Sequence, residues 1–282
     1  MKNNTVFNRL FTQYSINDLI QGNENQVYKA VIKRVLQDPH SKNNGEIISE
    51  IYSYMGKNYR NEYFYQNTLI NKLLLGKHSV NTTTALTQIP INKSKADFIL
   101  INGKAVVYEI KTELDSFVRL ETQLDDYYKA FSDVCVVTCE ENYDKLNSIL
   151  KGTNVGICIL TKRNTLNFIK NPISDYSKIS HETLFKILHK CEFENIVSEY
   201  FGALPTTTPV FYYDECYKSF ARIPITEAYS ATLKQLKKRN KILKEEFKKV
   251  PYELKSLMYF YSEYDNKYRT LQKFLNENYG GI

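Results

Sequence analysis

Two apolar runs, KADFILI and KAVVYEIK, meet at Asn102-Gly103. An Asn-Gly step between two strand-forming runs is the strongest short signal of a β-hairpin. TALTQIPI precedes them with the same β-branched and apolar character, so three successive strands are expected. Side chains alternate along a strand, so Glu109 and Lys111 point the same way, following Ala105 and Val107 on that face. A two-residue turn would pair Ile101 with Lys104 and Asp97 with Tyr108, leaving Asp97 and Glu109 on opposite faces. A three-residue loop with the glycine in a bulge sets Asp97 opposite Glu109 instead. An irregular turn is therefore predicted if the two carboxylates act together.

The flanking segments change period. Residues 1–58 read as short helices, because NENQVYKAVIKRVLQD and GEIISEIYSYM carry apolar residues at helical spacing. A longer helix is predicted from Tyr59 to Leu75, burying Phe64 or Tyr65, Leu69, Ile70 and Leu73, with Gly76 as its stop. After the hairpin a helix is predicted from Ser116 to Phe131, with Phe117, Leu120, Leu124, Tyr127 and Phe131 on one face. VCVVT and VGICIL then read as buried strands. Beyond Asn171 the strand signals fade into helical patterns, among them TEAYSATLKQLKKRNKILKEEF as one helix. The expected fold is mixed α/β, with an N-terminal helical segment at 1–58, a core at 59–165 and a C-terminal helical domain at 166–282.

Composition narrows the function classes. With 43% hydrophobic and 24% charged side chains the chain matches a globular protein, and no run approaches the ~20 apolar residues that span a bilayer. The N-terminus lacks a secretory pattern and five cysteines form no metal-site spacing, so a cytoplasmic protein with no membrane partner is expected. Cys135, Cys139 and Cys158 are expected in the core, and His189 with Cys191 lacks two further zinc ligands. The net charge is +7, concentrated between Lys234 and Lys249, where eight basic residues face two acids. Such a run is either a solvated helix face or a phosphate-tracking surface, carried by Lys234, Lys237, Lys238, Arg239 and Lys241.

Charged residues at the end of an apolar face need a partner or a metal. Asp97 and Glu109 held together repel each other, and Mg²⁺ or Mn²⁺, which favour hard oxygen ligands, relieves this. Such a cation lowers the pKa of bound water, while Lys111 would position that water or neutralise a phosphate. The competing explanations are an edge-strand ion pair for Glu109 and Lys111, a turn cap for Asp97, and plain core for Tyr127.

Ala96-Asp97, followed twelve positions later by Glu109-Ile110-Lys111, resembles the motif of the PD-(D/E)XK nuclease superfamily, with alanine in place of the usual proline. Gln123-Leu-Asp-Asp-Tyr127 is similar to the Gln-x-x-x-Tyr motif of its RecB-like branch. The stretch from Tyr59 to Thr138 resembles a bacterial and prophage-borne family of largely uncharacterised proteins placed there. The resemblance implies a restriction-endonuclease-like αβββαβ core and metal-dependent hydrolysis of DNA, with RNA as the alternative substrate. It also implies Glu62 on the leading helix as a third metal ligand, with Glu46 and Glu50 as fallbacks, and Gln123 and Tyr127 supporting the site and the DNA. A phage or anti-phage setting and a homodimer are compatible with it. The alternative is a silent nuclease fold that binds nucleic acid or a host protein.

Overall fold

The computed structural model describes residues 4–239, 242–261 and 266–280. About half of the chain is helical, and the described residues contain one six-stranded sheet, so the fold is mixed α/β. Two units divide it: Met1–Gly76 with Ile242–Ile282, and Lys77–Lys241. Their limits differ from the expected 58/59 and 165/166. Residues 59–76 group with the N-terminal helices, and residues 166–241 with the sheet.

The first unit opens with α1 (Thr5–Leu10), α2 (Gln13–Ile20), α3 (Gln26–Val35), α4 (Asn44–Asn58) and α5 (Glu62–Leu69). Polar caps fix where these helices start. Asn43 accepts from the Glu46 amide while Glu46 reaches back to the Asn43 amide, a reciprocal capping box, and Asn61 caps α5. After Leu69, α5 widens into a π-helical segment, Ile70–Leu75, so the predicted helix starts later and is less regular than expected. Leu69, Ile70 and Leu73 are buried, as their spacing predicted, and Phe64 and Tyr65 are both buried where one of the two was expected.

In the second unit, β1 (Thr84–Ile91), β2 (Ser94–Asn102) and β3 (Lys104–Lys111) form an antiparallel meander. Then α6 (Leu120–Tyr128) leads to β4 (Asp133–Thr138), parallel to β3, and α7 (Tyr143–Ile149) leads to β5 (Gly156–Leu160), parallel to β4. Right-handed crossovers advancing in one direction put both helices on the same face of the sheet. One apolar cluster unites that face with them: Ile99, Ile101, Val107, Val134, Val136, Ile157 and Ile159 below, Leu120, Leu124, Tyr127 and Leu146 above.

A sixth strand, β6 (Leu166–Lys170), closes the far edge antiparallel to β5, inside the segment expected to be helical. Its side chains are at most half-buried, as suits an edge, and so it lacks the apolar run that marks β4 and β5. Next come α8 (His181–Lys186), α9 (Lys190–Phe201), α10 (Pro209–Ala221) and α11 (Ile225–Lys237). Leu184, Phe185, Phe193, Ile196, Phe220, Leu233 and Leu236 join the same cluster, which is why this helical segment belongs with the sheet.

The chain then returns to the first unit as α12 (Lys244–Lys248), α13 (Lys255–Phe260) and α14 (Lys267–Asn276). The expected continuous basic helix is therefore two, in different units. Buried Asn44 donates to the carbonyls of Phe274 and Glu277, each at 3.1 Å, and fully buried Asn67 accepts from the Ser256 amide at 2.8 Å. These bonds join segments some two hundred residues apart in sequence.

Candidate active site

Gly103 has φ of 75°, in the left-handed region, and the ladder pairs Asn102 with Lys104, Ile101 with Ala105 and Phe98 with Tyr108. This is the expected three-residue loop, with left-handed Gly103 at its centre and the ladder running unbroken to Asn102 and Lys104 rather than through the predicted bulge, and continuing its register sets Asp97 opposite Glu109. Both carboxylates thus share the face covered by α6. The strands stop pairing beyond Phe98 and Tyr108, and Asp97 Oδ2 accepts a 2.8 Å hydrogen bond from the Ile110 amide instead. On the other side β1 is irregular at the same level. Gln88 has φ of 55°, the Gln88 position is skipped in the β1–β2 ladder, and the Thr87 hydroxyl donates to the Asp97 carbonyl at 2.7 Å. A left-handed non-glycine residue costs on the order of 1–2 kcal/mol, and such strain gathers at functional positions.

Glu109 and Lys111 lie at the end of β3, only 1% and 7% exposed. Lys111 Nζ donates to Glu109 Oε1 at 2.7 Å and to Gln123 Oε1 at 2.8 Å, while Gln123 Nε2 donates to the same Glu109 oxygen at 2.6 Å. The hydroxyl of fully buried Tyr127 lies 2.6 Å from Glu109 Oε2 and 2.9 Å from the Lys95 carbonyl. A phenol has one proton, so it donates to one of these acceptors at a time. Burial, then the charge of Glu109 and that of Asp97, push the Tyr127 phenol far above its ordinary value, which keeps it a neutral donor. α6 supplies both partners because Gln123 and Tyr127 are four residues apart and share a helix face. Behind the site, the Thr138 hydroxyl anchors the Lys111 carbonyl at 2.6 Å.

Four of the five expected catalytic residues, with Tyr127, therefore meet in the second unit. Glu62 belongs to the first unit, where it is the exposed first residue of α5. Sequence reasoning missed Thr138, Thr87 and the left-handed Gln88. Thr138 ends an apolar run, and nothing local in the sequence separates it from a core threonine.

The basic run divides. Lys234, Lys237 and Lys238 are exposed on or just after α11, with Lys234 3.2 Å from Glu199, and Lys241 lies outside the described residues. Arg239 is only partly exposed and is taken up by protein partners rather than left open to a phosphate. Its guanidinium grips Glu192 through two hydrogen bonds, at 2.6 and 2.5 Å, and donates to the Ile187 carbonyl at 2.8 Å. Cys135, Cys139 and Cys158 are buried, as expected, while Cys191 is exposed. Beside the strand ends, Glu113, Cys139 and Glu141 bring ligand atoms within 4.8 Å of one another, but both glutamates are exposed and Glu141 pairs with Lys162.

The donors that could hold a hard divalent cation are the Asp97 and Glu109 carboxylates and the Gln123 amide oxygen. Oxygen donors of this kind fit Mg²⁺ or Mn²⁺, which retain several waters. No helix among the described residues is long and apolar enough to cross a membrane.

The model of a family described as "Bacteriophage P4 protein cII" matches residues 55–268, about three quarters of the chain. No curated protein matches significantly. Among solved structures, a protein of unknown function from Silicibacter pomeroyi aligns at 10% identity over 43% of this chain and 82% of that one. Its TM-score is 0.29, too low to carry an argument.

Proposed function

This chain belongs to the bacteriophage P4 protein cII family, and we propose that its second unit is a metal-dependent nuclease of the PD-(D/E)XK type acting on DNA. The observation that carries the proposal is the hairpin register, which opposes Asp97 and Glu109 on the face where Lys111, Gln123 and Tyr127 converge. Evolution of a stable core alone gives no reason to bury a carboxylate and an ammonium at a strand end, because the desolvation of each costs several kcal/mol. A chemical task does.

A divalent cation bound by Asp97 and Glu109 would supply an acidified water and charge stabilisation at a phosphate. The chain's own residues do the positioning. Lys111 neutralises charge on the phosphate oxygens, Gln123 orients the lysine and the glutamate together, and Tyr127 fixes Glu109 from its other oxygen. The order β1–β2–β3–α6–β4 supports the restriction-endonuclease-like reading from its first strand onward, whereas α5, the helix that precedes these strands in sequence, belongs to the first unit. Exposed Lys234, Lys237 and Lys238 are the candidate backbone contacts, and a phage or anti-phage setting agrees with the family.

The competing function is a binding module without cleavage, favoured by one observation: both Glu109 oxygens already have protein donors. Incubating the full-length protein with supercoiled, linear and single-stranded DNA and with RNA, in Mg²⁺, Mn²⁺ or EDTA, separates the two. Cleavage that needs metal and disappears in Asp97→Ala supports the nuclease, with Lys111→Ala slowed on the order of 10²- to 10⁴-fold. Salt-sensitive binding with no cleavage of any substrate supports the binding module.

A further inference from the structure

In the free protein the oxygen a cation would seek is held by a lysine. Lys111 Nζ sits 2.7 Å from Glu109 Oε1, an ordinary charge-assisted hydrogen bond, and Gln123 Oε1 holds the same ammonium at 2.8 Å. Lys111 therefore occupies a position of positive charge beside Glu109, and a divalent cation taking Oε1 has to displace it or bind against its repulsion. The ammonium has a second use. A phosphodiester offers anionic oxygens that compete with Glu109 for Nζ. Moving Nζ to the phosphate would remove the like charge from the cation's neighbourhood and leave Glu109 Oε1 with the neutral Gln123 amide as its donor.

We propose that divalent-cation and phosphodiester binding are positively coupled at this site, with Lys111 as the element that moves between Glu109 and the phosphate. The proposal rests on the metal site put forward above, and adds that the site is guarded until nucleic acid arrives. Coupling of this kind is reciprocal: whatever factor DNA adds to cation affinity, the cation adds to DNA affinity. Lys111 is here a positioning residue, and the role is separable from any part it plays in the rate.

The test is Mn²⁺ binding, read from the electron paramagnetic resonance signal of the free ion, with full-length protein alone and with saturating short duplex DNA, corrected for Mn²⁺ held by DNA alone. The expected result is tighter Mn²⁺ binding with DNA, by about 5- to 150-fold. In Lys111→Met, the protein without DNA should bind Mn²⁺ more tightly than the native chain does, and DNA should add little. Lys111→Arg, which keeps the positive charge, should restore part of the coupling, and circular dichroism establishes that each variant is folded. Equal Mn²⁺ affinity with and without DNA in the native protein overturns the proposal and leaves the metal site standing. Tightening that persists undiminished in Lys111→Met also overturns it, because phosphate oxygens would then account for the effect. Absence of protein-bound Mn²⁺ in both conditions overturns the metal site itself and the coupling with it.

Discussion

Lys111 and Glu109 can be removed singly or together, and the three variants should not behave additively. With Nζ and Oε1 2.7 Å apart, the gross attraction is about 6 kcal/mol at an effective dielectric near 20. Desolvating each ion costs several kcal/mol, so the intact pair contributes close to nothing net. Taking one partner away is different, because the remaining ion stays 1% or 7% exposed without its counter-charge. Breaking such a pair costs about 3–5 kcal/mol. Lys111→Met belongs at the lower end, since Glu109 keeps Gln123 and Tyr127 as donors. Glu109→Leu belongs at the upper end, since the ammonium is left with the Gln123 oxygen. Glu109→Leu/Lys111→Met replaces both ions with apolar groups and should be more stable than either single variant, by about 2 kcal/mol or more. Urea unfolding, with hydrogen exchange at the β3 amides to isolate the second unit, measures all three. A double variant destabilised by the sum of the singles would refute the claim that the ion pair is kept for chemistry at the expense of stability.

Three further outcomes follow from other contacts. Burial pushes the Glu192 carboxyl up, but hydrogen bonds from Arg239 and the His189 amide outweigh it and hold the carboxyl below its ordinary 4.5. A lowered folded value means the stabilisation is complete above that ordinary value and is lost as pH falls below about 4.5. Arg239→Ala should cost about 3–5 kcal/mol at neutral pH and flatten this acid limb in melts taken across pH; an unchanged limb would show that Arg239 does not set it. Gly103→Val puts a β-branched residue at φ of 75° and should cost about 1–2 kcal/mol or more in melts, with Gly103→Asn milder; equal stability would mean the turn is not left-handed. Replacing Lys237 and Lys238 by alanine should weaken DNA binding alike across sequences and lower the salt slope by about 2, read from filter binding at several salt concentrations; an unaltered slope removes α11 from the interface.

The hairpin was legible because strand period and turn type are local. Asn102-Gly103 and the apolar flanks restrict the register to two choices, and the need to oppose Asp97 and Glu109 selects one. Gln123 and Tyr127 were legible for the same reason, sharing one helix face. Arg239 was not. Its partner Glu192 is 47 residues away, and a guanidinium in a lysine-rich run carries no local mark of being turned inward. The break after Lys237 was equally hidden, since the apolar stripe continues in phase through Leu243 and Phe247 while the chain passes from one unit to the other. Nor could periodicity tell that residues 242–282 complete the unit begun by residues 1–76, because the contacts that decide it, such as Asn67 to Ser256, are long-range.

That arrangement has a consequence for synthesis. The second unit is an insertion, and every one of its residues, from Lys77 to Lys241, is synthesised before Ile242. The unit carrying Asp97, Glu109 and Lys111 therefore emerges from the ribosome ahead of the segment from Ile242 onward. The helices of residues 1–76 must wait, lacking the carbonyls of Phe274 and Glu277 that receive Asn44 and the Ser256 amide that receives Asn67. The sequence of the candidate active site is thus complete first, and the helices made before it find their last partners after it.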